Sequence, residues 1–371
     1  MTHRPFRAEH IGSLLRTPEL RAARTQLAAG GLDAAGLRAA EDVAVRAVVK
    51  LQEDAGLQVV TDGEMRRNTY SDSFTVGGIH GVEIRMTEEQ GWSKSQTHGH
   101  RTARRIPAVT GKISWKGPQN AADFAFLKSV TTRTPKITLP GPAYIHYRAG
   151  RLNISRDAYP SLDEFFTDLV EAYGKEINSL YDVGCRYVQI DETSLVKLGD
   201  DRARQLLTER GDDWADLLKL YVDVVNRVIA TAPADMRVGL HICRSQDPSW
   251  QANVSYAPIA EAVFQGTRAP FFFLEYDNER AGGFEPLAAV PKDRSVVLGL
   301  VASKVPEVES ADYLKRRIDE ASKFIDLDRL ALSPQCGFAT SWDVGGAMTQ
   351  EIEAAKLKRV VDVSREVWGD R

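Results

Sequence analysis

The strongest constraint on the fold of this chain is a repeated alternation along its 371 residues. Short runs of β-forming residues, most ending in a polar or glycine-containing turn, are separated by longer stretches with helical spacing. That is the sequence form of β/α units around a parallel sheet. The runs fall at 57–61, 136–139, 187–190, 238–243, 271–275, 295–301 and 330–333, and a shorter one at 10–13 brings them to eight. Eight predicts the staves of one closed (β/α)8 barrel, with a ninth run at 106–113 left over as an accessory strand or hairpin.

The helices between them carry clearer signals. Residues 161–183 open on Ser161, with Asp163 and Glu164 in the first turn, as an N-cap and the helix dipole favour. Phe165, Phe166, Leu169, Val170 and Tyr173 then recur at three- and four-residue spacing, so one face can pack on a sheet. Similar patterns predict helices at 33–55, 214–231, 310–325 and 349–367. Residues 80–105 differ, with three of the seven histidines (His80, His98, His100) among many Gly, Ser, Thr and Arg. This stretch is predicted to be an excursion or mobile flap, not a domain boundary.

Composition narrows the class of function. With 43% hydrophobic and 27% charged residues the chain has the balance of a soluble globular protein with a sizeable core. A net charge of -3 and an isoelectric point near 6.2 provide no basic field for nucleic acid or an anionic membrane. Three scattered cysteines, Cys185, Cys243 and Cys336, read as reduced thiols and not a disulfide scaffold. The first residues lack a hydrophobic signal core, and no apolar stretch approaches the roughly 18–20 residues that span a bilayer. A cytoplasmic location is expected.

In a β/α barrel the C-terminal ends of the strands converge on one mouth, where active sites of this fold lie. The polar residues at those ends include Ser13, Asp62, Glu64, Asp191, Glu192, His241, Cys243, Glu275, Asp277, Lys304 and Cys336. His241 and Cys243 are two apart on one strand, so both side chains point the same way. With Glu275 and Cys336 they supply imidazole, thiolate and carboxylate donors that Zn²⁺ accepts at about 2.0–2.3 Å. The chemistry natural to such an ion is activation of a thiol substrate. The other reading is that His241 is a satisfied core histidine and the cysteines are small buried hydrophobes, as Cys185 is expected to be.

At these residues the chain resembles the C-terminal barrel of cobalamin-independent methionine synthase, and more closely the short single-barrel members of that family. The resemblance covers nearly the whole chain. It runs in order through Ile11-Gly12-Ser13, Asp62-Gly63-Glu64, Leu139-Pro140-Gly141-Pro142, Gln189-Ile190-Asp191-Glu192, His241-Ile242-Cys243, Glu275 and Pro334-Gln335-Cys336-Gly337. It implies an α/β fold, the TIM barrel of the uroporphyrinogen decarboxylase and methionine synthase class, with residues 1–371 as one catalytic domain. It also implies Zn²⁺ on His241, Cys243, Glu275 and Cys336. Glu64 and Asp191 match the acidic residues that hold the amino group of homocysteine, and Ser13 matches the contact to its carboxylate. The implied activity is transfer of a methyl or alkyl group to a zinc-activated thiol such as homocysteine.

The chain departs from the full-length enzymes in two places. It has no histidine in the segment 299–306, where theirs assists transfer from folate, and no tryptophan after Gly141-Pro142, where theirs stacks on the pteridine. Folate and a methylated corrinoid both stand as donors. Thiol addition to a small electrophile, as in epoxyalkane:coenzyme M transferase, is the enzymatic alternative, and a non-catalytic zinc- or thiol-binding barrel is the other. Arg66, Arg67, Arg148 and Arg244 adjoin the matched motifs and are candidates to receive an anionic group. His10, His146, Asp277 and Lys304 are candidates to activate the donor. A homo-oligomer is compatible with all of this.

Overall fold

The strands that build the molecule are short apolar runs buried on both faces, the condition a parallel sheet imposes when helices cover it. The computed structural model describes residues 4–87, 104–244, 254–339 and 347–369. In chain order the first strands are β1 (Val59–Val60), β2 (Ile79–Thr87), β3 (Arg104–Trp115), β4 (Thr134–Pro135) and β5 (Ile137–Pro140). β6 (Tyr187–Glu192), β7 (Arg237–Ile242), β8 (Phe271–Glu275), β9 (Ser295–Val301) and β10 (Leu330–Pro334) follow. The helices are α1 (Pro18–Ala28), α2 (Ala34–Asp54), α3 (Ala121–Ser129), α4 (Tyr144–Ala149), α5 (Leu162–Asp182), α6 (Asp201–Glu209), α7 (Trp214–Ile229), α8 (Ala311–Ala321) and α9 (Gln350–Trp368).

Strands β5 to β10 form one parallel sheet in sequence order, and β1 pairs in parallel with β4, which leads through Lys136 into β5. The ring closes where Ala8 bridges Leu332, through Glu9 N to Leu332 O and Leu332 N to Arg7 O, each 2.9 Å. The result is the (β/α)8 barrel. The five helices predicted at 33–55, 161–183, 214–231, 310–325 and 349–367 are α2, α5, α7, α8 and α9, and the Ser161 hydroxyl accepts from Glu164 N as expected.

One stave differs from expectation. Residues 10–13 form no strand, because Gly12 takes a left-handed φ of 131° that ends the extended path. The carbonyls that a ladder would have used are met by side chains instead. Lys136 Nζ donates to His10 O, Gln189 Nε2 to Ile11 O at 2.6 Å, and Thr61 Oγ1 to Gly12 O at 2.6 Å. Lys136, fully buried, also pairs with Glu9 at 3.2 Å.

The accessory run is one arm of an antiparallel hairpin, β2 against β3. It packs on α5, where Trp115 Nε1 donates to Glu176 Oε2 at 2.8 Å, and on the segment before that helix, where Ile113 N donates to Tyr159 OH at 2.7 Å. His80 lies on this hairpin, while His98 and His100 of the predicted excursion lie outside the described residues. No described helix is long and apolar enough to cross a membrane.

Inside the barrel, Ile11, Val59, Tyr187, Phe271, Phe273, Val297 and Ala331 form their own apolar cluster. A side chain at Gly239 would collide with Phe271 and Phe273 at 2.6 and 2.7 Å, so glycine there lets two rings fill the bore. Outside, Phe272, Leu274, Val296 and Leu298 join the larger core beneath the helices.

Helix α9 is tied to the first stave by Leu15 N, which donates to Glu353 Oε1 at 3.0 Å. Burial raises the Glu353 carboxyl from 4.5 to about 8. Its bound proton therefore favours the folded state, fully below pH 4.5, and that contribution is lost as pH rises through about 8. Replacing Glu353 with Gln, which keeps the acceptor without the charge, should flatten the fall in melting temperature between pH 5 and 9. The difference at high pH should be on the order of a few kcal/mol, read from denaturant unfolding at each pH.

Candidate metal centre

The period of two that sends Phe271 and Phe273 into the barrel also points Glu275, the last residue of β8, inward at the mouth. On the neighbouring strand His241 stands opposite Phe273, and Cys243 follows two residues on. Cys336 lies just past β10. The four side chains are buried, and one donor atom from each falls within 4.8 Å of all the others. The two sulfurs are 3.6 Å apart.

The surrounding bonds hold the carboxylate in place. Glu275 Oε1 accepts from Arg244 N at 2.8 Å and Oε2 from Gln335 Nε2 at 3.3 Å. Gln335 is fixed in turn by Ser303 N, which donates to its Oε1 at 3.1 Å. Its backbone can come this close because Gly299 has no side chain; a Cβ there would meet Gln335 Cα at 2.7 Å. The Tyr256 hydroxyl accepts from Glu275 N at 2.8 Å and faces Ile242 O at 3.3 Å, coupling the ends of β8 and β7.

The electrostatics suit a cation. Burial pushes the His241 ring toward its neutral form, but Cys336, Asp191 and Glu275 outweigh it and raise the ring to about 9. The Cys243 thiol, His241 and Lys304 hold Cys336 well below an ordinary thiol, while Cys336 and burial hold Cys243 well above one. Burial raises Glu275 despite Lys304 nearby. Both ring nitrogens of His241 are buried with no hydrogen-bond partner. One nitrogen, two sulfurs and one carboxylate oxygen gathered this tightly fit a tetrahedral divalent ion, and Zn²⁺ takes this donor set.

Beside this cluster stand the residues expected to bind substrate. Glu64 has a left-handed φ of 58°, alone among described non-glycine residues, and its N–H donates to Asp62 Oδ1 at 2.9 Å. Such strain at a buried carboxylate is a usual mark of a functional position. Its Oε1 accepts from Arg67 at 3.1 Å and Thr138 Oγ1 at 2.8 Å, while Oε2 is buried with no partner. Asp191, held by Gln189 Nε2 at 2.7 Å, is raised to about 7 by burial, with His241 lowering it and Glu64 raising it further. Asp191 thus sits in the field of both the four-donor cluster and Glu64. Ser13 Oγ donates to Ala339 O.

A residue the sequence reading missed joins these loops. Arg16 is buried, and its Nη1 donates to Leu14 O at 2.8 Å, to Ser13 Oγ and Gly63 O at 3.3 Å, and to Ala339 O at 3.4 Å. Its Nη2 reaches Arg67 O at 3.4 Å. It therefore fastens the loops that carry Ser13, Glu64 and the residues after Cys336. Gln335 and Tyr256 were also missed: a glutamine beside Cys336 was a visible signal, whereas nothing in the sequence marks Tyr256. Of the four residues considered for donor activation, Lys304 acts on Glu275 and both thiols, and Asp277 lies in its field. His146 is away from the site in an aromatic core, with Nδ1 2.8 Å from Tyr221 OH. His10 is buried beside Lys136.

Comparison with known proteins finds relatives along nearly the whole chain. The family model described as the catalytic domain of cobalamin-independent synthase matches residues 6–366. The YxjG protein of Bacillus subtilis, of no stated function, is 40% identical over 368 residues, covering 98% of this chain and 95% of its own length. A 5-methyltetrahydropteroyltriglutamate–homocysteine methyltransferase of Bacillus velezensis is 24% identical over 96% of this chain, which spans only 42% of that longer protein. A solved structure from Listeria monocytogenes, described as a candidate vitamin-B12 independent methionine synthase, is 33% identical and covers 99% of both chains at a TM-score of 0.77.

Metal analysis under reducing conditions should find about one zinc per wild-type chain and none in Cys243→Ser or Cys336→Ser. Fresh, folded wild type without metal would make the cluster a structural one.

Proposed function

The chain belongs to the cobalamin-independent synthase catalytic-domain family, and from that premise we propose that it methylates the sulfur of homocysteine at a zinc centre. The ligands on this reading are His241, Cys243, Glu275 and Cys336. The observation that carries it is the gathering of those four donor atoms within 4.8 Å at a barrel mouth that also holds the Glu64 and Asp191 carboxylates. Zinc, when bound, favours the deprotonated form of a substrate thiol at neutral pH.

The rest of the work falls to the protein. Glu64 Oε2, buried and unpartnered, and Asp191 beside it receive the ammonium of the amino acid. That added positive charge draws Asp191 down from about 7 into its ionised form. Ser13 and the loop that Arg16 fastens stand where the substrate carboxylate is received. Glu275, held by the Arg244 amide and Gln335, keeps its orientation while the thiol enters. Orienting a thiol and a donor carbon in line on a rigid scaffold removes much of the entropic barrier, an advantage worth up to about 7–11 kcal/mol for well-oriented groups. The methyl donor is a folate or a methylated corrinoid on this reading, and the chain lacks the folate-side histidine and tryptophan of the long enzymes.

The test is incubation of zinc-loaded protein with homocysteine and either 5-methyltetrahydrofolate or methylcobalamin, with methionine read by mass spectrometry. Methionine is expected from one donor. Glu64→Gln should bind homocysteine roughly ten- to hundredfold more weakly, the loss of about 1.5–3 kcal/mol from one charge-assisted bond, with zinc content unchanged. Failure of every thiol and donor pair to give an alkylated product would sink the proposal.

A further inference from the structure

Four arginines border the motifs of the mouth, and the structure sorts them by what they already hold. Arg66 is paired with Asp42 and Asp123 and lies over the Phe126 ring at 4.6 Å. Arg67 is committed to Glu64 and to Thr138, whose O accepts at 2.8 Å. Arg244 donates to Arg280 O at 2.6 Å. Arg148 differs: among the described residues no hydrogen bond or ion pair reaches its guanidinium, and its Nε is buried without a partner. A guanidinium so placed retains its full capacity for a bidentate anion.

Its setting belongs to the mouth. Arg148 lies on α4, directly after the Gly141-Pro142 turn that ends β5, and four residues from Tyr144, so the two share a helix face. The Tyr144 ring meets Tyr70 edge-on, with centroids 5.8 Å apart at 77°. Tyr70 comes from the segment after Glu64, and its phenol feels both Arg148 and Cys243. Arg148 and Cys243, one of the four clustered donors, therefore both lie within electrostatic reach of Tyr70.

We propose that Arg148, with Tyr70 and Tyr144 as an aromatic wall, binds an anionic group of the second substrate, the one that carries the alkyl group. The group is a carboxylate, sulfonate or phosphate, and its capture selects which donors are accepted. This role rests on the methyl-transfer reading for its meaning, but the anion site itself does not. Glu64 and Asp191 claim the cationic end of the thiol substrate on that reading, so an uncommitted cation near the same cluster serves the other reactant.

The test is modification of the full chain, purified with zinc, by phenylglyoxal, with peptide mass spectrometry resolving each arginine. Methyl phosphate, methanesulfonate and acetate are the competing anions. Arg148 should react ahead of Arg66 and Arg67, and at least one anion should protect it saturably; the best protector names the class. By calorimetry the same anion should bind roughly ten- to hundredfold more weakly to Arg148→Met. Equal reactivity of the three arginines, or no protection by any anion, overturns the proposal. Homocysteine titrated into the same preparations should be weakened by Glu64→Gln and not by Arg148→Met. Loss of the methyl-transfer reading would therefore appear in that titration and leave the anion result standing.

Discussion

Asp191, His241 and Glu275 stand at the mouth because side chains on a strand alternate. In β6, β7 and β8 the inward positions are Tyr187, Gln189 and Asp191, then Gly239 and His241, then Phe271, Phe273 and Glu275. Parallel register sets these positions level across neighbouring strands. Gln189, Gly239 and Phe271 share one level, Asp191, His241 and Phe273 the next, and Glu275 stands one step further out, so polar groups replace rings progressively toward the rim. A shift of one residue in any stave would send its inward set to the helices and its apolar set to the mouth.

Burial then sets the electrostatics. Asp191 and Glu275 are both raised by removal from water, which makes the rim a place where added positive charge is stabilised. Deeper down, Lys136 and Glu9 resolve the opposite problem by pairing with each other, with Tyr187 OH donating to Glu9 Oε1 at 2.7 Å. The contrast is informative. Deep in the barrel the charges are matched within the protein, whereas nearer the mouth Glu64, although paired with Arg67 through Oε1, keeps Oε2 buried without a hydrogen bond, as Arg148 keeps its Nε.

Much of this was legible in the sequence for a physical reason. Apolar runs ending in His-x-Cys, Glu and Asp-Glu report strand and rim together, because strand parity and burial act on consecutive residues. The first stave was not legible: 10–13 looks extended, but Gly12 turns the chain and its carbonyls depend on Thr61, Lys136 and Gln189, which come from three other staves. Arg16 escaped notice for the same reason, since the carbonyls it gathers are as distant in sequence as Gly63 and Ala339. Local pattern shows what a residue does along its own strand, and not which loops a long side chain will collect.

The bridge between Ala8 and Leu332 has a consequence for how the molecule is made. Seven staves follow one another in order, so most strand pairs join neighbours in sequence, whereas this one joins the two ends of the chain. Contacts of such separation bear the largest loop-closure entropy and form late. The rim is subject to the same timing, because Cys336 and the loop that Arg16 fastens emerge from the ribosome after nearly everything they touch. A partly synthesised chain already contains His241, Cys243 and Glu275, but the four-donor cluster is complete only when Cys336 has joined them and the cylinder is shut.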